Sequence, residues 1–179
     1  MKDKFAKRAK IEGYNARSVY KLRWLDDHYR LIKKGYSVLD LGSYPGSWLQ
    51  YCLEITKHVV GVDLKEVKIK NTVFFKKNVK DLNLETKFDV ILSDLSPKTT
   101  GIFKLDQENS IDLANEAFKI VKKNLENNGN FVCKVFNSEL VEKFVKKLKK
   151  SFKLVKVTKP VGSKKRSKEI FIVCKGYKW

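Results

Sequence analysis

Apolar runs of strand length alternate along this chain with segments of helical period, and that alternation limits the folds open to it. SVLDLG (37–42), HVVGVDL (58–64), TVFF (72–75), KFDVILSDL (87–95) and NFVCKVF (130–136) read as strands. Residues 17–31 read as a helix that starts at Ser18 and carries an apolar stripe through Val19, Leu22, Leu25 and Tyr29. Ser47–Lys57, 106–126 (with Gly129 as a stop signal) and 138–151 read as further helices. Strands that alternate with helices pair in parallel and are covered on both faces. KLVKVTKP (153–160) and EIFIVCKGY (169–177) have only a loop, with VGSKKRS in it, between them. So short a link allows only antiparallel pairing. The expected fold is α/β: a Rossmann-like, seven-stranded, mostly parallel sheet with one antiparallel strand and helices on both faces.

The chain has 179 residues and no repeat or linker, so one domain is expected over 1–179, with a basic N-terminal segment at about 1–17. Its 42% apolar content argues against disorder. No run approaches the roughly 18 apolar residues of a membrane helix, and the basic start lacks the apolar region of a secretory signal. Cys52, Cys133 and Cys174 form neither a CxxC pair nor a zinc spacing, so buried thiols, no metal and a reducing compartment are expected, cytoplasmic or organellar (mitochondrion or plastid).

The net charge of +19 is unevenly placed. Residues 18–142 carry +2, whereas 1–17 carry +4 and 143–179 carry +13. A general lysine bias would raise the middle as well. Concentrated positive ends point to a polyanionic partner, held by counterion release. No segment has the paired basic and apolar faces of a membrane-surface anchor, so no membrane partner is expected.

Ligands of parallel α/β sheets bind beyond the carboxyl ends of the strands. There the first strand runs into Asp40-Leu41-Gly42-Ser43-Tyr44-Pro45-Gly46-Ser47-Trp48. Gly42 and Gly46 allow close backbone approach, and the following helix start offers free N–H groups. Asp63 ends the second strand 21 residues after Gly42, the spacing at which an acid meets adenosine ribose hydroxyls. An adenosine-containing cofactor fits; a nicotinamide dinucleotide is disfavoured, because GxGxxG is absent. Four further residues stand out. Asp94 ends a strongly apolar strand, and Lys134 interrupts another, where an unpaired charge is costly. Glu169 is the sole acid of the last 37 residues, and Lys21 lies on the first helix. Singly, each reads as a cap, an edge residue or a surface ion pair. Together they can converge as a coupled network in which desolvation and a neighbouring ammonium make Lys134 a general base.

The chain resembles the FtsJ/RrmJ-type ribose 2′-O-methyltransferases from about Ala16 to Lys178. The resemblance rests on ARSVYKL (16–22), DLGSYPGSW (40–48), VDL (62–64), SDLSP (93–97), KVF (134–136) and KPVGSKKRSKEIFIVCKGYK (159–178). It implies a methyltransferase sheet with six parallel strands and one antiparallel. It also implies S-adenosylmethionine as cofactor and a Lys-Asp-Lys-Glu tetrad at Lys21, Asp94, Lys134 and Glu169. Gly42, Pro45, Gly46, Trp48, Asp63, Asn78 and Asp94 match cofactor-binding positions. The family usually has Asp near the adenine amino group where this chain has Asn78, whose amide still offers an acceptor oxygen. PGSW replaces the commoner PGGW. Arg17, Lys164, Lys165 and Arg166 are expected along the RNA, and Tyr44 as a base-stacking residue. The implied reaction is methylation of a ribose 2′-hydroxyl, at a uridine of large-subunit ribosomal RNA, by a monomer acting on RNA or on the large ribosomal subunit. Transfer RNA or an mRNA cap is the alternative substrate. A non-catalytic ribosome-assembly factor would lack a tetrad member, and none is lost.

Overall fold

The computed structural model describes residues 3–163 and 167–178. Its elements run α1 (Lys4–Ile11), α2 (Val19–Tyr29), β1 (Ser37–Leu41), α3 (Ser47–Ile55), β2 (His58–Asp63), β3 (Val73–Lys76), β4 (Phe88–Ser93), α4 (Phe103–Asn124), β5 (Leu125–Phe136), α5 (Leu140–Lys149), β6 (Phe152–Thr158) and β7 (Glu169–Tyr177). Among the described residues these make a seven-stranded sheet in the order β3-β2-β1-β4-β5-β7-β6. The first five strands pair in parallel. β7 is the reversed strand, wedged antiparallel between β5 and β6.

Alternation along each strand divides the core. Leu39, Leu41, Ile91, Phe131 and Cys133 pack under α4 and α5, against Phe118, Val121 and Phe144. Val38, Leu92, Val132 and Phe171 pack under α2 and α3, against Leu22, Leu25, Trp48 and Leu49. Helices therefore cover both faces, as a parallel sheet requires. α5 shows the division within one helix: Val141, Phe144 and Leu148 are buried while its lysines face water. The three cysteines are all buried and unpaired. No described helix is long and apolar enough to cross a membrane.

Three local features depart from the sequence reading. The basic N-terminal segment contains a helix, α1, capped by Asp3, whose carboxylate accepts from the N–H groups of Phe5 and Ala6. Ser18 sits at the start of α2 but does not cap it; its hydroxyl bonds that of Ser47, 2.8 Å away. α4 ends at Asn124, before Gly129, because the Asn124 amide donates to the carbonyls of Leu84 and Thr86 at 2.8 Å each. Leu125 then enters the sheet beside Phe88.

Asp26 fixes how α2 hands over to β1. Its Oδ1 accepts the N–H groups of Leu31 and Ile32 at 2.8 and 2.9 Å, and its Oδ2 accepts the Tyr51 hydroxyl at 2.9 Å. Asp26→Ala orphans three buried donors and is expected to destabilise the protein by about 3 kcal/mol in denaturant unfolding, since one such donor costs roughly 1–3 kcal/mol. Asp26→Asn keeps an acceptor for the backbone pair and should cost less.

Candidate active site

The tetrad expected from sequence assembles at the carboxyl end of the sheet. Lys134 lies near the end of β5 and is 5% exposed. Its Nζ donates to the Asp94 carbonyl oxygen at 3.0 Å, and stands 3.1 Å from Asp94 Oδ1 and 4.0 Å from Glu169 Oε1. Glu169 Oε2 accepts from Lys21 Nζ at 2.7 Å. The order is thus Lys21–Glu169–Lys134–Asp94, two cations interleaved with two anions. Topology explains the meeting. β4 and β5 bring Asp94 and Lys134 to this end as parallel neighbours. β7 brings Glu169 because it is reversed, so that its first residue pairs with Phe136 at the end of β5. α2, lying on the same face, supplies Lys21. Burial by itself would raise the Glu169 carboxyl; the Lys21 ammonium, seconded by Lys134, outweighs it and holds the group below the ordinary glutamate value.

Beside this chain opens a cleft of about 480 Å³, lined among others by Gly42, Tyr44, Asp63, Leu64, Lys65, Asn78, Val79, Asp94, Leu95 and Leu113. Asp94 therefore borders both the cleft and the charged chain. The Asp63 carboxylate accepts the Tyr44 N–H through Oδ2 and the Lys65 N–H through Oδ1, at 2.9 Å each. Asn78 caps a 3₁₀ turn, its side-chain oxygen accepting from Lys80 N–H. Gly42 has φ +83°, and a Cβ there would stand 3.0 Å from Leu95 N, so the cleft floor is bare backbone.

The other named residues stand behind the cleft. Gly46 backs onto Val67 and Ile69. The Pro45 carbonyl accepts from the Asn15 amide. The Trp48 ring is buried in the core near Phe171, and its Nε1 donates to the Ser18 carbonyl at 2.9 Å, so only its backbone faces the turn. Arg17 is committed inside the chain, to the Asp3 carboxylate and the Gly162 carbonyl, tying α1 to the loop before β7. Lys164, Lys165 and Arg166 lie outside the described residues. Tyr44 is 52% exposed, open to a stacking partner.

Asp40 was not singled out from sequence. It is fully buried in β1, and neither carboxyl oxygen has a hydrogen-bond partner. The signal that marked Lys134, a charged residue inside an apolar strand, marks Asp40 equally in SVLDLG. Burial and then the nearby Asp94 charge push its carboxyl well above the ordinary aspartate range. The folded protein thus keeps a proton that the unfolded chain releases from about pH 4. Stability linked to Asp40 is therefore present below that pH and is lost as pH rises. Asp40→Asn should remove this loss, so that its stability relative to wild type improves between pH 5 and pH 8 in denaturant titrations. A difference independent of pH would contradict the protonated state.

Comparison with known proteins agrees with this geometry. The family model for FtsJ-like methyltransferases matches residues 14–177. The protein called ribosomal RNA large subunit methyltransferase E is 41% identical in Bdellovibrio bacteriovorus, over 96% of this chain and 95% of that one. Its namesake in Methanosphaera stadtmanae is 37% identical, over 99% and 94%. A crystal structure of a ribosomal RNA methyltransferase from Plasmodium falciparum superposes with a TM-score of 0.83 at 30% identity, covering 92% of this chain and 98% of that one. With the model spanning nearly its whole length, the chain belongs to the FtsJ-like methyltransferase family.

Proposed function

We propose that the protein methylates a ribose 2′-hydroxyl of large-subunit ribosomal RNA with S-adenosylmethionine as methyl donor. The observation that carries this reading is the Lys21–Glu169–Lys134–Asp94 chain, set at the edge of a cleft whose own wall includes Asp94. The names of the relatives support ribosomal RNA as the substrate.

The cleft suits this donor. Its volume is that of a small-ligand site. The Asp63 oxygens keep lone pairs for ribose hydroxyls beyond the N–H groups they already accept, and Asn78 presents an amide to the adenine side. The Asp63 and Asp94 carboxylates offer a cationic sulfonium local counter-charge in a cleft that Lys65, Lys77 and Lys80 also line. Bound there, the donor supplies an already activated methyl group.

The chain's own residues then have two tasks. Alignment of the 2′-oxygen in line with the methyl falls to the rim of the cleft and the basic surface around it, and such positioning lowers barriers by about 7–11 kcal/mol. Removal of the hydroxyl proton falls to Lys134. Asp94 anchors its Nζ through a carbonyl and a carboxylate oxygen, and Glu169 couples it to Lys21. A positioned base contributes roughly 10²–10⁴-fold in rate.

Lys134→Ala should lower kcat by about 10²–10⁴-fold while cofactor binding is kept. Lys134→Arg should fail similarly, because a guanidinium keeps its charge but does not give up its proton. Near-normal turnover in Lys134→Arg would remove Lys134 as the base. Labelled methyl transfer to separated RNAs and ribosomal subunits, followed by mapping, should place the methyl on a ribose of large-subunit RNA, expected at a uridine. Label confined to transfer RNA, or to a base, would overturn the proposal.

A further inference from the structure

Among the described residues every Phe, Tyr and Trp is buried or half-buried except two, Tyr44 and Phe103, which are 52% and 47% exposed. Both stand at the carboxyl edge of the sheet. Tyr44 lies in the turn after β1, hydrogen-bonded through its N–H to Asp63 at the end of β2. Phe103 opens α4, and a chain of contacts fixes its place. Gln107, one turn further along α4, donates to the Asn137 carbonyl at 2.7 Å. Asn137 N–H donates to the Lys168 carbonyl at 2.8 Å. The Lys168 ammonium lies 3.3 Å from the centre of the Phe103 ring. Lys168 directly precedes Glu169, and Asn137 follows Phe136, the β5 partner of Glu169. Phe103 therefore overlooks the place where β5 ends and β7 begins. In the sheet order, the Asp94–Lys134 pair falls between it and Tyr44.

An exposed aromatic ring with the Lys168 ammonium on its face and Lys104 beside it, at a surface that Glu108 and Glu139 also border, has the parts of a single-strand nucleic-acid contact. The ring takes a base face and the ammonium groups take phosphate. Nothing in the fold needs Phe103 to be aromatic, since it fills no core position. Its apolar neighbours Ile102 and Leu105 are also open, at 62% and 39%.

Building on the assignment of RNA as substrate, we infer that Phe103 is a stacking platform for a nucleobase flanking the methylated nucleotide, with Lys168 turning from the ring to the adjacent phosphate. Tyr44 and Phe103 then hold unstacked bases on either side of the reacting ribose, so a flexible or splayed strand is taken over a regular duplex, whose bases stay stacked on one another.

Phe103→Ala should weaken RNA, read as KM in methyl transfer and as Kd for the isolated large-subunit RNA, by roughly 5- to 150-fold, the loss of one base stack. Cofactor affinity and the thermal midpoint should stay at wild-type values, and Phe103→Trp should restore RNA affinity to within about threefold. Four results would overturn the platform: unchanged RNA affinity in Phe103→Ala, failure of Phe103→Trp to rescue, a parallel drop in cofactor affinity, or a loss seen only with intact ribosomal subunits and not with naked RNA, which would make the patch a protein contact. Methylation by wild type with equal KM in Phe103→Ala refutes the platform alone. Absence of any RNA methylation by wild type refutes the assigned function and the platform with it.

Discussion

A lysine ammonium buried on a central strand has to be neutralised, and the arrangement at the carboxyl end of this protein's sheet follows from that requirement. Lys134 stands between β4 and β7, where an unpaired ion would cost several kcal/mol. Asp94 and Glu169 supply the counter-charges, and Lys21 balances the second acid. Four elements far apart in sequence are thereby committed to one point. The reversed direction of β7 belongs to the same solution: a parallel strand would carry its first residue to the opposite edge of the sheet, away from Lys134. The groups that hold the strand ends together are also the groups available to move a proton there.

Charge is sorted by task as well. The chain as a whole is strongly positive, and the cleft beside the tetrad sets the carboxylates of Asp63 and Asp94 among Lys65, Lys77 and Lys80. Interactions this close act over a few ångströms in a partly desolvated setting, whereas the basic exterior acts through solvent and is screened within about 8–10 Å at ordinary salt. Charges in the cleft and charges on the basic exterior therefore act at different ranges within one small domain.

The parallel order and the reversed final strand were legible in sequence because alternation of strand and helix, and one missing helix, are local patterns. Asp94 and Lys134 were legible because charge inside an apolar run is conspicuous. Asp40 carries the same signal, a charge inside the apolar run SVLDLG, at the mouth of the glycine turn. The pairing of Lys21 with Glu169 spans 148 residues and leaves no local trace. Nor does sequence adjacency reveal direction. Trp48 and Pro45 belong to the turn, but the indole points into the core and the proline carbonyl toward Asn15. Arg17 looked like a free surface cation, and its commitment to Asp3 and Gly162 depends on α1, a helix hidden in what reads as a charge run. Phe103 gave no signal, because an exposed aromatic is indistinguishable from a core one until the fold is known.

The strand order also gives one segment two duties. β7 lies between β5 and β6, so among the described residues it is the strand that joins β6 to the rest of the sheet. Its first residue, Glu169, is also the carboxylate set between Lys21 and Lys134. A change that loosens β7 therefore leaves two ammonium groups facing one carboxylate at the same time as it frees an edge of the sheet.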